Sequence, residues 1–221
     1  MSSTKLLTAI LLLLASAVGL QAQVYVGALG GVATLSGDNH STVGVKSNFS
    51  SYDPKNGPAV EFVVGKDLSD YFSIQGEYIW NRNTLILTSA QFNDGTQVGY
   101  TETRNSSQQS FIGDLLIYFR KRNSRLRPFL SVGTGFMHFY SSEQSIGTII
   151  GNPVLPPQHF SSNHAVLHVP VGLDVKLKDG LAFRYSFSET LSGNPISPQL
   201  SPPATHNLQN FQNFWGIVYR F

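Results

Sequence analysis

His164 and His168 stand four residues apart, and on a helix that spacing would turn both imidazoles toward one metal ion. Pro170 and the period-two pattern of "HAVLHVPVGLDVKL" put them on a strand instead, about 13 Å apart, so no shared metal and no cofactor is expected from this pair. His40, His159 and His206 lie in Ser-rich segments that also carry acids, the residue types of a hydrolase triad. A triad is an arrangement in space, and the sequence assigns no catalytic residue among them. The run "RKRNSRLR" gathers Arg120, Lys121, Arg122, Arg125 and Arg127, which suits either anionic lipid headgroups at a membrane edge or a solvated turn. The charges Glu61, Glu77, Asp114, Asp174, Lys176, Arg184 and Arg220 stand singly inside otherwise apolar stretches. All seven fall on the parity opposite to the large apolar residues, and they are expected to form an ion-pair network on one face of a sheet.

Strands must position that network. The chain has 221 residues with 13% charged, about half the roughly 25% of soluble domains, and is rich in Gly, Phe and Tyr. A net charge of +2 without a basic-aromatic groove excludes a nucleic-acid partner. Zero cysteines exclude disulfides and thiolate chemistry. The opening "MSSTKLLTAILLLLASAVGLQAQ" joins Lys5, an apolar stretch from Leu6 to Leu14 and small residues, the pattern of a cleavable signal peptide. Cleavage is expected after Ala22, with Ala17 the alternative, giving a signal at 1–22 and one domain at 23–221. Beyond it about eight amphipathic strands follow, each near the ~9–11 residues that cross a bilayer at a tilt.

The connections alternate as well. Those around Ser69-Asp70 and Lys178-Asp179-Gly180 are tight, and "RKRNSRLR" is only modestly longer. Leu35 to Gly57, Thr84 to Asn105, Ser141 to Asn163 and Leu191 to Asn210 are long, and all fall at one end of the sheet. Asn56-Gly57 and Asp94-Gly95 read as turns. With aliphatic and aromatic side chains outward and charges inward, the sheet is inside-out relative to a soluble barrel. Lipid suits its exterior, and in lipid an open sheet must close so that every backbone group is paired. The fold class expected is all-β, an eight-stranded antiparallel up-and-down transmembrane barrel.

The tail "NFWGIVYRF" sets Trp215, Ile217, Tyr219 and Phe221 on one face. With the signal, the eight strands and the loop asymmetry, it resembles the closing strand of the small OmpA-like outer membrane β-barrel family of bacteria. That resemblance implies residence in the outer membrane among its lipids and recognition of the four tail residues by the barrel assembly machinery. It implies a structural or interaction barrel that displays four long loops to the exterior; because eight strands enclose a space that side chains can just fill, the inward charged residues are expected to plug the lumen and leave no general pore activity. Neither the ligand of those loops nor an enzyme activity follows. Nothing matches the peptidoglycan-binding domain of some relatives. Two other classes stand beside this reading, a lipid A deacylase-like membrane enzyme, whose His-x-Ser-Asn stretch is absent, and a soluble lipocalin-like carrier, which needs the opposite sidedness. Asn213 on the outward face and Pro170 inside a strand depart from the family pattern, and Pro170 predicts a bulge. A three-residue Lys178-Asp179-Gly180 hairpin would place Leu177 opposite Leu181 and Asp174 opposite Arg184.

Overall fold

The computed structural model describes residues 23–43, 47–93 and 95–221, so the signal-peptide stretch at 1–22 lies outside the described residues. Alternation is the rule along each strand: Val60, Phe62 and Val64 face out while Glu61 and Val63 are turned inward. Ten strand segments result: β1 (Val24–Leu35), β2 (Asp38–Thr42), β3 (Asn48–Lys55), β4 (Gly57–Asp67), β5 (Phe72–Asn93), β6 (Thr96–Tyr118), β7 (Leu126–Ile150), β8 (His159–Lys178), β9 (Leu181–Gly193) and β10 (Asn207–Arg220). Neighbours pair antiparallel, and β1 joins both β4 and β10, which closes a ring of eight strands. Segments β2 and β3 continue β1 and β4 outward past short breaks, pairing with each other and, through β3, with β5.

A belt of apolar side chains surrounds this ring. Phe72, Ile74, Phe111, Leu115, Leu130, Phe136, Leu167, Val171, Phe183, Trp215 and Ile217 are all exposed to the exterior, as an eight-stranded barrel in hydrocarbon requires. Asn213 sits in this belt, where its side-chain carbonyl accepts the Tyr185 hydroxyl hydrogen at 3.1 Å. One polar pair is thereby satisfied locally in a lipid-facing position.

The long segments between spanning strands are mostly strand themselves. β5, β6 and β7 run 22, 23 and 25 residues, at least twice the ~9–11 needed to cross. They carry the wall of the barrel well beyond the apolar belt. Asn56-Gly57 makes no hairpin: the register on β5 slips by one residue there, a bulge inside a continuing strand. The connection after β9 behaves differently. Residues 194–206 turn back over the mouth of the barrel through a short 3-10 turn (Ser197–Gln199) and bury Ile196, Leu200 and Ala204 against Tyr52, Leu85, Leu87 and Phe139. This cap is held by Ser50 and Ser89, which donate to the carbonyls of Pro202 (2.6 Å) and Ser201 (3.0 Å), and by Asn194, which donates to the Tyr52 hydroxyl (3.2 Å).

Two local expectations are corrected. Pro170 keeps the β7–β8 register unchanged, and only the pairs opposite Ser131 and Val132 are missing, so the absent N–H leaves a gap and no bulge. At the β8–β9 turn Gly180 does take the left-handed conformation (φ 74°), and Asp174 does face Arg184. Leu177 does not face Leu181, however: Lys178 pairs with Leu181 across a two-residue turn, and Leu177 is extruded as a bulge toward the outside.

Candidate functional site

The interior of the spanning region is built in layers of polar side chains. Nearest the tight-turn end is buried Asp67, whose carboxylate accepts from Ser73 (2.5 Å) and has Arg220, Arg122 and Arg127 at 3.6, 3.8 and 4.0 Å. Arg127 is thus withdrawn from the basic run it shares in sequence. Its guanidinium lies 3.6 Å over the Tyr118 ring and donates to the Asp70 carbonyl, while Arg120, Lys121 and Arg125 remain exposed.

Arg184 forms the next layer and is 1% exposed. It donates to both oxygens of Asp174 (2.7 and 3.0 Å), to Gln75 Oε1 (2.7 Å) and to the Tyr118 hydroxyl (2.9 Å). Arg220 from the last strand donates to the same Asp174 at 2.6 Å. The Tyr25 hydroxyl donates to Gln75 at 2.9 Å, so β1, β5, β6, β8, β9 and β10 are tied across the interior.

Above this comes an acidic layer. Asp114 and His168 reach each other across β7 because the residue between them is Gly133, paired to both. A Cβ at Gly133 would lie 2.2 Å from Asp114 Oδ1, so only glycine leaves the space. His168 Nδ1 then sits 3.2 Å from Asp114 Oδ2 and 3.5 Å from Glu77 Oε2. Gln75 donates to the other Glu77 oxygen and holds it in place. Glu61 is 4% exposed and lines the same small cavity as Glu77 and His168.

Of the seven charges singled out in the sequence, Arg184 and Arg220 both contact Asp174, and Glu77 and Asp114 meet around His168. Lys176 stands apart at the barrel edge, 3.0 Å from the turn residue Asp179. Asp67, Gln75 and Tyr118 escaped the sequence reading, while Arg127 and His168 were singled out only as part of the basic run and of the His164 pair. His164 is unrelated to the acidic layer, its ring being held by Ser162 at 2.9 Å. Trp215, Ile217, Tyr219 and Phe221 are all exposed on the outer wall.

Outside the belt a second buried pair, Glu102 and Arg104, is in direct contact. Arg104 also donates to Ser141 Oγ (3.1 Å) and to the carbonyls of Pro157 (2.8 Å) and Gln158 (3.0 Å), which ties the β7–β8 connection to the wall. Burial raises the Glu102 carboxyl above its ordinary value against the opposing pull of Arg104. The Ser/His/acid candidates stay dispersed. His40 pairs with Asp38 (2.8 Å), His159 contacts Tyr140 (3.2 Å), and the backbone carbonyl of His206 accepts the Asn194 N–H (2.8 Å).

A family model described as "Outer membrane protein beta-barrel domain" matches residues 5–221. Among solved structures the chain is similar to Neisserial surface protein A, at 12% identity and a TM-score of 0.53, over 91% of this chain and 100% of that one. Ail, the attachment invasion locus protein of Yersinia pestis, aligns at 12% identity and a TM-score of 0.47 over 90% of this chain and 99% of that one. The N-terminal barrel of Pseudomonas aeruginosa OprF aligns at 11% identity and 0.41 over 91% and 100%. No curated protein matches the sequence significantly.

Proposed function

The chain belongs to the outer membrane protein β-barrel family and is an integral protein of the bacterial outer membrane, and from that premise we propose that it is a surface-display barrel that acts through its exterior and has no enzyme activity. The observation that carries this reading is the continuation of the wall outside the belt. β5, β6 and β7 extend together past the level of Trp80 and Gln109, and the β7–β8 end exposes Ile146, Ile149, Ile150, Val154 and Leu155. An apolar tip on a long β-stalk suits contact with another macromolecule. The spanning interior supports the same reading, since its layers are bonded side chain to side chain, as expected for the space within eight strands. The mature domain would begin at Gln23, insert with the help of the assembly machinery through Trp215, Ile217, Tyr219 and Phe221, and have outer-membrane lipids as its solvent.

Because the chain has no cysteine, single cysteines report sidedness directly. On intact cells a membrane-impermeant maleimide should label Ser145→Cys in the extended β7 and leave Asn123→Cys in the short β6–β7 turn unlabelled. The reverse pattern would overturn the reading. Mass spectrometry of lipid A with and without the protein tests the enzyme alternative. A lipid A species that appears only with the intact protein would replace a display role by catalysis.

A further inference from the structure

We propose that Glu77, Asp114 and His168 form a buried binding site for a divalent transition-metal cation in the middle of the barrel, with zinc the best-fitting ion. Charge is the first observation. The layer holds the carboxyl groups of Glu61, Glu77 and Asp114, each buried, against a single histidine. The nearest guanidinium, Arg184, is committed to Asp174, Gln75 and Tyr118. Buried carboxylates of this number must be compensated, by bound protons or by a cation among them.

Geometry is the second. One donor atom from each of Glu77, Asp114 and His168 lies within 4.8 Å of the other two. The His168 Nδ1 distances of 3.2 Å to Asp114 and 3.5 Å to Glu77 bracket the edge of about 3.3 Å between ligands of a tetrahedral ion with bonds of about 2.0–2.1 Å. One nitrogen and two carboxylate oxygens form a donor set that zinc accepts.

Unsatisfied atoms are the third. Glu77 Oε2, Glu61 Oε2 and His168 Nε2 are buried without a hydrogen-bond partner. Glu77 Oε2 is the oxygen turned to His168, and Gln75 fixes the carboxylate from its other side, the kind of outer support that orients a ligand. The adjoining cavity of about 10 Å³, lined by Glu61, Glu77, His168 and Ser131, has room on the order of one water molecule, which supplies a fourth ligand or a bridge to His168 Nε2. Gly133 completes the site by leaving open the space between Asp114 and His168.

The test uses the mature barrel refolded in detergent with excess zinc or cobalt(II) and then freed of unbound metal by gel filtration. The expected result is one metal per chain by elemental mass spectrometry and, with cobalt, the intense visible bands of a tetrahedral site. Glu77→Gln, nearly isosteric, should refold by the heat-modifiable gel shift and lose the bound metal, and His168→Asn should abolish the cobalt bands. A wild-type barrel that folds and retains no zinc or cobalt overturns the site and leaves protons as the compensating cations. A folded Glu77→Gln barrel that still holds one metal overturns the ligand assignment. Should either variant fail to fold, the wild-type stoichiometry and spectrum decide the question alone.

Discussion

Removing the two partners of the Asp174–Arg184 pair, singly and together, should give unequal and non-additive losses. Arg184→Ala strips Asp174 of two hydrogen bonds but leaves it the Arg220 donor at 2.6 Å. Asp174→Ala leaves Arg184 and Arg220 facing each other in the interior without their shared anion. Breaking a buried pair by removing one member costs about 3–5 kcal/mol. Arg184→Ala should therefore fall near 3 kcal/mol and Asp174→Ala near 5 kcal/mol. In the double variant the uncompensated charge at this pair is gone, and the loss should fall short of the sum by about 1–3 kcal/mol. Urea unfolding of barrels in lipid vesicles measures these values, followed by fluorescence of Trp80 and Trp215, which both face the exterior and report departure from lipid. Strict additivity, or a smaller loss for Asp174→Ala than for Arg184→Ala, would refute the layered interior as described.

Gly133→Ala places a methyl group 2.2 Å from Asp114 Oδ1 and should lower the midpoint of heat-induced gel conversion, whereas alanine at Gly30, which meets nothing within 4 Å, should not. Phe221→Ala should slow assembly in cells more than it lowers the urea midpoint of the assembled barrel; equal assembly kinetics would remove the recognition role. The cap over the mouth should be pH-sensitive. Burial alone would raise the Asp38 carboxyl, but the N–H of Thr205 at 2.6 Å, the Thr205 hydroxyl, the N–H of Asn39 and nearby His40 outweigh it and hold the carboxyl below its ordinary 3.8. A depressed carboxyl contributes stability above its unfolded value and loses it as pH falls through the folded one. Pepsin should thus spare residues 194–206 at about pH 4 and cut there at about pH 2, and Asp38→Asn should be cut at both.

Faces were legible because lipid outside and polar groups inside impose opposite demands on alternate residues. The Asp174↔Arg184 pairing follows from the inward parity of both residues on either side of a tight turn, although the turn differs from the one expected: Lys178 pairs with Leu181, and the extruded Leu177 restores the register. His168 shares the parity of Asp174 and so was legible as inward, yet its meeting with Asp114, 54 residues earlier in the chain, depends on the stagger of neighbouring strands. No local pattern records that stagger. The outward continuation of β5–β7 was hidden for another reason. Beyond the belt, stretches such as "TETRNSSQQS" meet water on one side and a polar interior on the other, so the period-two contrast vanishes although the strand goes on. The cap was hidden because Ile196, Leu200 and Ala204 are spaced irregularly among Pro and Ser, and burial there follows from closure of the mouth.

The central claim is a barrel whose interior is closed by its own side chains, and planar-bilayer recording tests it most directly. Wild-type barrel, and barrel lacking the cap residues 194–206, should both show no steady channel, because the Asp67, Arg184 and Asp114 layers lie below the cap. Stable open channels of porin size in the wild-type protein would contradict the account.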